Sequence, residues 1–183
     1  ILYIMCGDSQ SGKKVLAVDL DLSLARTDTL VEGIWSLFLS NPFQFVKIML
    51  SLRRGRAYFK NLVAESVSFD AAKLPFNKEV LHQIKAWKRD GGRVVLVTAS
   101  HQLIADEVGR HLNLFDRVQG STEAVNLKGQ QKAKFLCEEF GLGEFAYIGD
   151  SKADLPVWEV ACSVIAVNPS FGLKLQLDNK FDN

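Results

Sequence analysis

Asp19 and Asp21 stand two residues apart in VDLDLSL, directly after a short apolar run that begins at Val15. Asp150 and Asp154 stand in YIGDSKAD, after the apolar FAYI, and Thr98 ends the apolar run VVLVT. Read as strands buried on both faces, these three runs place a polar residue at the same edge of one sheet. In open α/β sheets that edge, at the carboxyl ends of the strands, is where ligands bind. Aspartates clustered without His or Cys favour a hard, oxygen-seeking cation, Mg²⁺ first. Mg²⁺ held by few carboxylates keeps room for water and a substrate phosphate. One Asp can attack phosphorus to form an aspartyl-phosphate. A second can protonate the leaving oxygen and then activate water. A threonine hydroxyl and a lysine can stabilise the oxygens of the transferring group.

The elements that must position these groups follow from hydrophobic period and turn residues. Val15–Asp19, Arg93–Val97, Phe145–Ile148 and Ser163–Val167 read as strands, with a brief one at Arg117-Val118. Helices are expected from Asn77 to Gly91-Gly92, from about His101 to Leu112, from Lys128 to about Phe140 and over Ala153–Ala161. Strands alternating with helices predict an open parallel α/β sheet. About 70 residues separate the first two strands, where a simple crossover needs only a dozen or more. The surplus reads as a helical insertion over the ligand crevice, a cap. The expected division is a poorly ordered lead-in (1–14), a core (15–27 and 77–170), a helical cap (28–76) and a tail or linker (171–183).

Composition narrows the class. The chain has 183 residues, 48% hydrophobic, with 22 Lys+Arg against 21 Asp+Glu. This is an ordinary globular domain, with no basic excess of the kind nucleic-acid binders show. Cys6, Cys137 and Cys162 lie far apart, form no CxxC pair, and suit a reducing compartment. The chain begins at Ile1 rather than Met, which reads as a fragment or processed form, and no signal peptide is recognised. Ile34–Leu50 is its most apolar stretch, but Asn41, Pro42, Gln44 and Lys47 interrupt it. It reads as two short helices broken at Asn41-Pro42. Two readings stand: a buried helix pair, or a surface that touches a membrane.

Together, VDLDLSL, TAS, NLKG and GDSKAD, in this order and spacing, resemble the four motifs of the haloacid dehalogenase (HAD) superfamily. The match runs roughly from Val15 to Pro169. DxDx[ST] alone is a weak signal; four motifs, each on its expected element, are a strong one. The resemblance implies a Rossmann-like parallel sheet flanked by helices, with a small helical cap inserted after the first strand. It implies Asp19 as nucleophile, Asp21 as acid/base, and Thr98 on the phosphoryl oxygens, with Ala99 and Ser100 beside the substrate. Mg²⁺ would be held by Asp19, the backbone carbonyl of Asp21, and Asp150. For the lysine, Lys128 is preferred: it precedes Gly129, lies 22 residues ahead of Asp150, and looks like the lysine-glycine pair of phosphoserine-phosphatase relatives. Lys132 is the fallback. The chain departs from the pattern at Leu22, where a glycine is usual, and at Ser23, which replaces threonine but keeps a hydroxyl. The wording of the cap and of the last two motifs looks like the soluble domain fused ahead of UbiA-type prenyltransferases. That resemblance implies a cytoplasmic domain at the membrane face, with a prenyl-linked or sugar phosphate as substrate.

Other residues admit two readings. Asp154 serves structure by orienting Asp150 or Lys128, or is itself a ligand. Asp28 is a substrate-recognising acid or a helix N-cap. Thr98 caps the following helix, binds phosphate, or does both. The cluster Arg53, Arg54 and Arg56 is solvated surface, or grips an anionic substrate through Arg56, or meets anionic lipid. The expected activity is Mg²⁺-dependent hydrolysis of a small phosphomonoester. The rivals are phosphotransfer to another acceptor and a non-catalytic domain serving a membrane enzyme, toward which only Leu22 leans.

Overall fold

A computed structural model of the protein describes residues 2–6, 15–66 and 69–181. Six strands form one sheet: β1 (Leu2–Cys6), β2 (Val15–Val18), β3 (Arg93–His101), β4 (Arg117–Ser121), β5 (Phe145–Gly149) and β6 (Ser163–Val167), in the order β1-β6-β5-β2-β3-β4. All pairs are parallel except β1 with β6. The chain leaves β2 toward β3 and β4 on one side, then returns to β5 and β6 on the other. The order therefore reverses between β2 and β5, and a crevice opens at their carboxyl ends.

The expected lead-in contains a strand. Leu2–Cys6 pairs along its whole length with β6, so the parallel sheet gains an antiparallel edge; the turn-rich residues 7–14 lie outside the described residues. The expected tail likewise becomes a helix, α8 (Phe171–Phe181), which buries Leu173 and Leu177. β3 runs four residues past Val97, and its pairing with β4 shifts between Val97 and His101. Thr98, Ala99 and Ser100 thus stand on an irregular strand end. The expected helix over Ala153–Ala161 is a short turn followed by α7 (Leu155–Trp158).

Strand alternation divides the core. Leu16, Val18, Val94, Leu96, Ala146 and Ile148 pack on one face of the sheet with α4 (Lys78–Arg89) and α5 (Gln102–Leu112). Ala17, Val95, Val97, Phe145 and Tyr147 pack on the other with α6 (Gln130–Phe140), α7 and α8.

Between β2 and β3 the insertion forms three helices: α1 (Thr29–Ser40), α2 (Pro42–Leu50) and α3 (Arg56–Ser66). Asp28 caps α1 by accepting from the amides of Leu30 and Val31. Asn41 stops α1 and caps α2, with Pro42 in the first turn of α2, as the sequence break demands. The insertion has its own small core of Leu37, Ile48, Phe59 and Val63. Its two connections meet side by side: Ala25 bridges Phe76, and the Arg26 amide donates to Pro75.

Candidate functional site

Asp19 follows Val18 directly, and its amide still donates to the carbonyl of Ile148 on β5, at 2.9 Å. The chain then tightens into a π-type turn over Leu20–Leu24. Leu22 sits there at φ 56°, ψ 0°, the left-handed region that glycine adopts without strain, and is 50% exposed. The place where the sequence departs from the HAD pattern is therefore one where the backbone itself favours glycine. A branched side chain held there carries about 1–2 kcal/mol of strain. Ser23 is buried in the same turn, and its hydroxyl has no hydrogen-bond partner among the described residues.

The cation that meets Asp19 belongs to Lys132. Its Nζ is 2.7 Å from Oδ1 of Asp19 and 2.8 Å from the Tyr147 hydroxyl, and the residue is 2% exposed. The Tyr147 hydroxyl donates in turn to Oδ1 of Asp154, at 2.8 Å. The preferred lysine of the sequence reading, Lys128, is exposed. α6 begins at Gln130, so Lys128 precedes the helix instead of opening it. Lys132 lies on the inward side of α6, with Ala133 and Leu136. That signal was present in the sequence, because Lys132 and Leu136 are four apart and share a helix face. Tyr147 was missed, although a tyrosine in a buried strand must find a partner for its hydroxyl.

Asp154 is buried and bonded through both oxygens. Oδ2 accepts from the amides of Asp150 and Ser151, each at 3.1 Å, and Oδ1 takes the tyrosine hydroxyl. It holds the loop that carries Asp150. Gly149 makes this possible: a Cβ there would lie 2.8 Å from the Asp154 carboxyl group.

Asp21 points to the insertion. Oδ1 accepts from the amide of Thr29 at 2.7 Å, and Oδ2 from the hydroxyl of Ser100 at 2.5 Å. Because the one proton of Ser100 goes to Asp21, the 2.8 Å contact between the Thr29 and Ser100 hydroxyls has threonine as donor. Thr98 is fully buried, and its oxygen accepts from the Ser100 amide at 3.0 Å. It does not cap α5, a task that falls to His101, whose ring accepts from the Leu103 amide.

Burial pushes the Asp19 carboxyl up to about 7; Lys132 opposes this, while Asp154 and Asp21 add to it. Burial, then the charge of Asp154, pushes Asp150 up to about 6. One oxygen from each of Asp19, Asp150 and Asp154 lies within 4.8 Å of the others. Lys132 is the only ammonium in a salt bridge with this cluster among the described residues. The cluster thus holds more negative than positive charge, and its donors are all oxygen, which suits a hard divalent cation.

A cavity of about 440 Å³ opens between insertion and core. Asp28, Leu52 and Phe59 line it from the insertion, and Ala99, His101 and Lys128 from the core. Asp28 is thus both the cap of α1 and part of the cavity wall. Arg53 is exposed, and the side chain of Arg56 lies outside the described residues.

Residues 16–159 match the family described as haloacid dehalogenase-like hydrolase. The chain belongs to that family. Among curated proteins, this HAD chain is 37% identical over 167 residues to an uncharacterised protein of Sinorhizobium fredii. The match covers 91% of this chain and 32% of the relative, so the chain spans about a third of that relative's length. Among solved structures, a protein of unknown function from Bordetella pertussis Tohama I has a TM-score of 0.66 at 18% identity, covering 92% of this chain and 96% of the other. A substrate-bound phosphoserine phosphatase has a TM-score of 0.62 at 19% identity, covering 91% of each chain. The same enzyme type as a phospho-aspartyl intermediate analogue has a TM-score of 0.54 at 19% identity, covering 83% of this chain and 87% of the other. These likenesses establish the HAD fold: a mostly parallel sheet flanked by helices.

Proposed function

We propose that this HAD chain hydrolyses a small phosphomonoester through an aspartyl-phosphate, with Mg²⁺ as cofactor. The observation that carries the reading is the buried Lys132–Asp19 pair, with Asp150 opposite, where the order of the sheet reverses. A carboxylate oxygen of Asp19 attacks phosphorus while the bond to the leaving alcohol breaks, and Asp21 gives that alcohol its proton. Asp21 then takes a proton from water, which attacks the same phosphorus and frees Asp19 and phosphate.

Lys132 favours the ionised form of Asp19 against the effect of burial and offers positive charge to the phosphoryl oxygens, with the Thr98 hydroxyl as a further donor. Tyr147 and Asp154 are positioning residues that keep the ammonium in place. Asp19, the backbone carbonyl of Asp21, and Asp150 would hold Mg²⁺, which supplies charge neutralisation for the phosphate. Asp154, with both oxygens engaged, serves structure and is not counted as a ligand. Lys128, Asp28, Ala99 and Ser100 belong to the substrate side.

The cavity wall sets Leu30, Leu52 and Phe59 against Asp28, Glu123, Asn126 and Lys128, which supports a phosphomonoester with both a polar and an apolar portion. The prenyl-linked substrate and the attachment to a membrane prenyltransferase, both expected from the sequence resemblance, remain part of this proposal. The greater length of the Sinorhizobium relative supports a domain within a longer protein.

The test is phosphate release from an aryl phosphate, with and without Mg²⁺, beside Asp19→Asn. Turnover that needs Mg²⁺ and falls at least about a thousandfold in the variant is expected. Absence of both turnover and a stable complex with beryllium fluoride, which imitates the aspartyl-phosphate, would overturn the reading.

A further inference from the structure

α1 and α2 are apolar on both of their sides. Leu37 and Ile48 face the small core of the insertion, while Trp35, Phe38, Leu39, Phe43, Val46 and Leu50 face outward. The outward residues repeat at helical spacing along each helix, so they form stripes instead of scattered exposures. Leu39 is 78% exposed and Phe43 85%. Trp35 meets Phe38 edge to face within α1, and Phe38 meets Phe45 edge to face across the boundary to α2. A helix that is apolar all round belongs in a core or against lipid.

Charge indicates which occupant covers this face. From Gly33 to Ala64 the sequence has five basic residues, Lys47, Arg53, Arg54, Arg56 and Lys60, and no acidic one. Lys47 and Arg53 are exposed. An outward stripe of Trp, Phe and Leu bordered by Lys and Arg, with one exposed carboxylate, Glu32, in the first turn of α1, complements an anionic lipid surface. The geometry agrees. α1 has 12 residues and α2 has 9, or about 18 Å and 14 Å of helix, against a hydrocarbon core of about 30 Å. Such helices lie in the interface and do not span it. Among the described residues no helix is long and apolar enough to cross a membrane.

We infer that the outward face of α1 and α2 docks on an anionic membrane surface, with Trp35, Leu39 and Phe43 inserted and Lys47 and Arg53 on the headgroups. Leu52, which lines the cavity, is also exposed, so the docking face continues to the mouth of that cavity. The docking itself does not depend on the proposed hydrolysis.

Flotation of the chain with vesicles of phosphatidylcholine plus phosphatidylglycerol, against phosphatidylcholine alone, tests this. Partition onto the anionic vesicles is expected, weakened by salt and by Lys47→Glu. The double change Leu39→Ser with Phe43→Ser weakens it about tenfold or more. A shift of tryptophan emission to shorter wavelength on binding disappears in Trp35→Phe. Far-UV circular dichroism and turnover of a soluble aryl phosphate stay unchanged in Leu39→Ser with Phe43→Ser, which separates loss of docking from loss of fold or site. Three results would overturn the inference: no partition onto either vesicle, partition that the double variant leaves intact, or self-association of the chain through these residues.

Discussion

Around Asp19 buried side chains are linked in a chain: Lys132 bonds Asp19 and Tyr147, and Tyr147 bonds Asp154. On α1 and α2, a short distance along the chain, large apolar side chains face water. The first region is held by a closed network and by a sheet packed on both faces. The second has a small core of its own and meets the rest at its two adjoining connections, at Thr29 against Asp21 and Ser100, and at Ala64 of α3 in the main core. The contrast separates two tasks. Phosphoryl chemistry needs charges fixed to within a fraction of an ångström, whereas a surface that admits substrate and meets a partner must be free to shift. Asp21 belongs to both, because its carboxylate binds the first residue of α1 and the end of β3 together. Movement of the insertion therefore changes the surroundings of the proposed acid.

The largest break in this contrast is expected at Lys132. Lys132→Met lowers kcat by about 10²–10³-fold. It also destabilises the fold by about 3 kcal/mol, because Asp19 stays buried without its partner. Lys128→Met raises KM and changes kcat less than about tenfold, as suits a group on the cavity wall. Steady-state kinetics on the two variants decides between them, and the reverse pattern would return the phosphoryl role to Lys128.

Tyr147→Phe comes next. Removing the hydroxyl that seats Lys132 lowers kcat about tenfold with little change in KM. The double change with Lys132→Met is no worse than Lys132→Met alone. Additive losses in that cycle would show that Tyr147 acts apart from the lysine.

Stability against pH gives a smaller effect. The carboxyls of Asp19 and Asp150 are raised in the folded protein, to about 7 and about 6. Below about pH 4 these groups hold protons in both the folded and unfolded states, and burial carries no penalty. As pH rises toward 6–7 the unfolded chain releases them first, so stability falls across that window. Without divalent cations the melting temperature should drop by a few degrees between pH 4 and 7. Asp150→Asn should lose less, and Mg²⁺ should flatten the slope. A melting temperature that rises steadily over that window in both proteins would contradict the arrangement.

Smallest is Leu22→Gly. Relief of about 1–2 kcal/mol of left-handed strain is offset by the greater freedom of glycine in the unfolded chain, about 0.5–1 kcal/mol. A net gain of at most about 1.5 kcal/mol should appear as a higher urea midpoint. A loss would mean that Leu22 packs against something that holds this loop.

Much of the site could be read from the order of residues. The runs Val15–Val18 and Phe145–Gly149 are short, apolar and bounded by turn residues, the pattern of strands buried on both faces. An aspartate directly after such a run stands at its carboxyl end, whatever the rest of the chain does. The break at Asn41-Pro42 was equally local, because proline restrains the residue before it. The tertiary structure decided what depends on distant partners. Leu2–Cys6 is a strand because β6 offers an open edge, and α8 is a helix because Leu173 and Leu177 find a sheet to cover. Lys128 and Lys132 lie four residues apart, one before α6 and one on it; only the packing of α6 on the sheet selects which ammonium is buried against Asp19. Tyr147 and Asp154 acquired their roles in the same way. A strand-end carboxylate is placed by its own backbone, but the neighbour that neutralises it comes from a separate element, and only folding brings the two together.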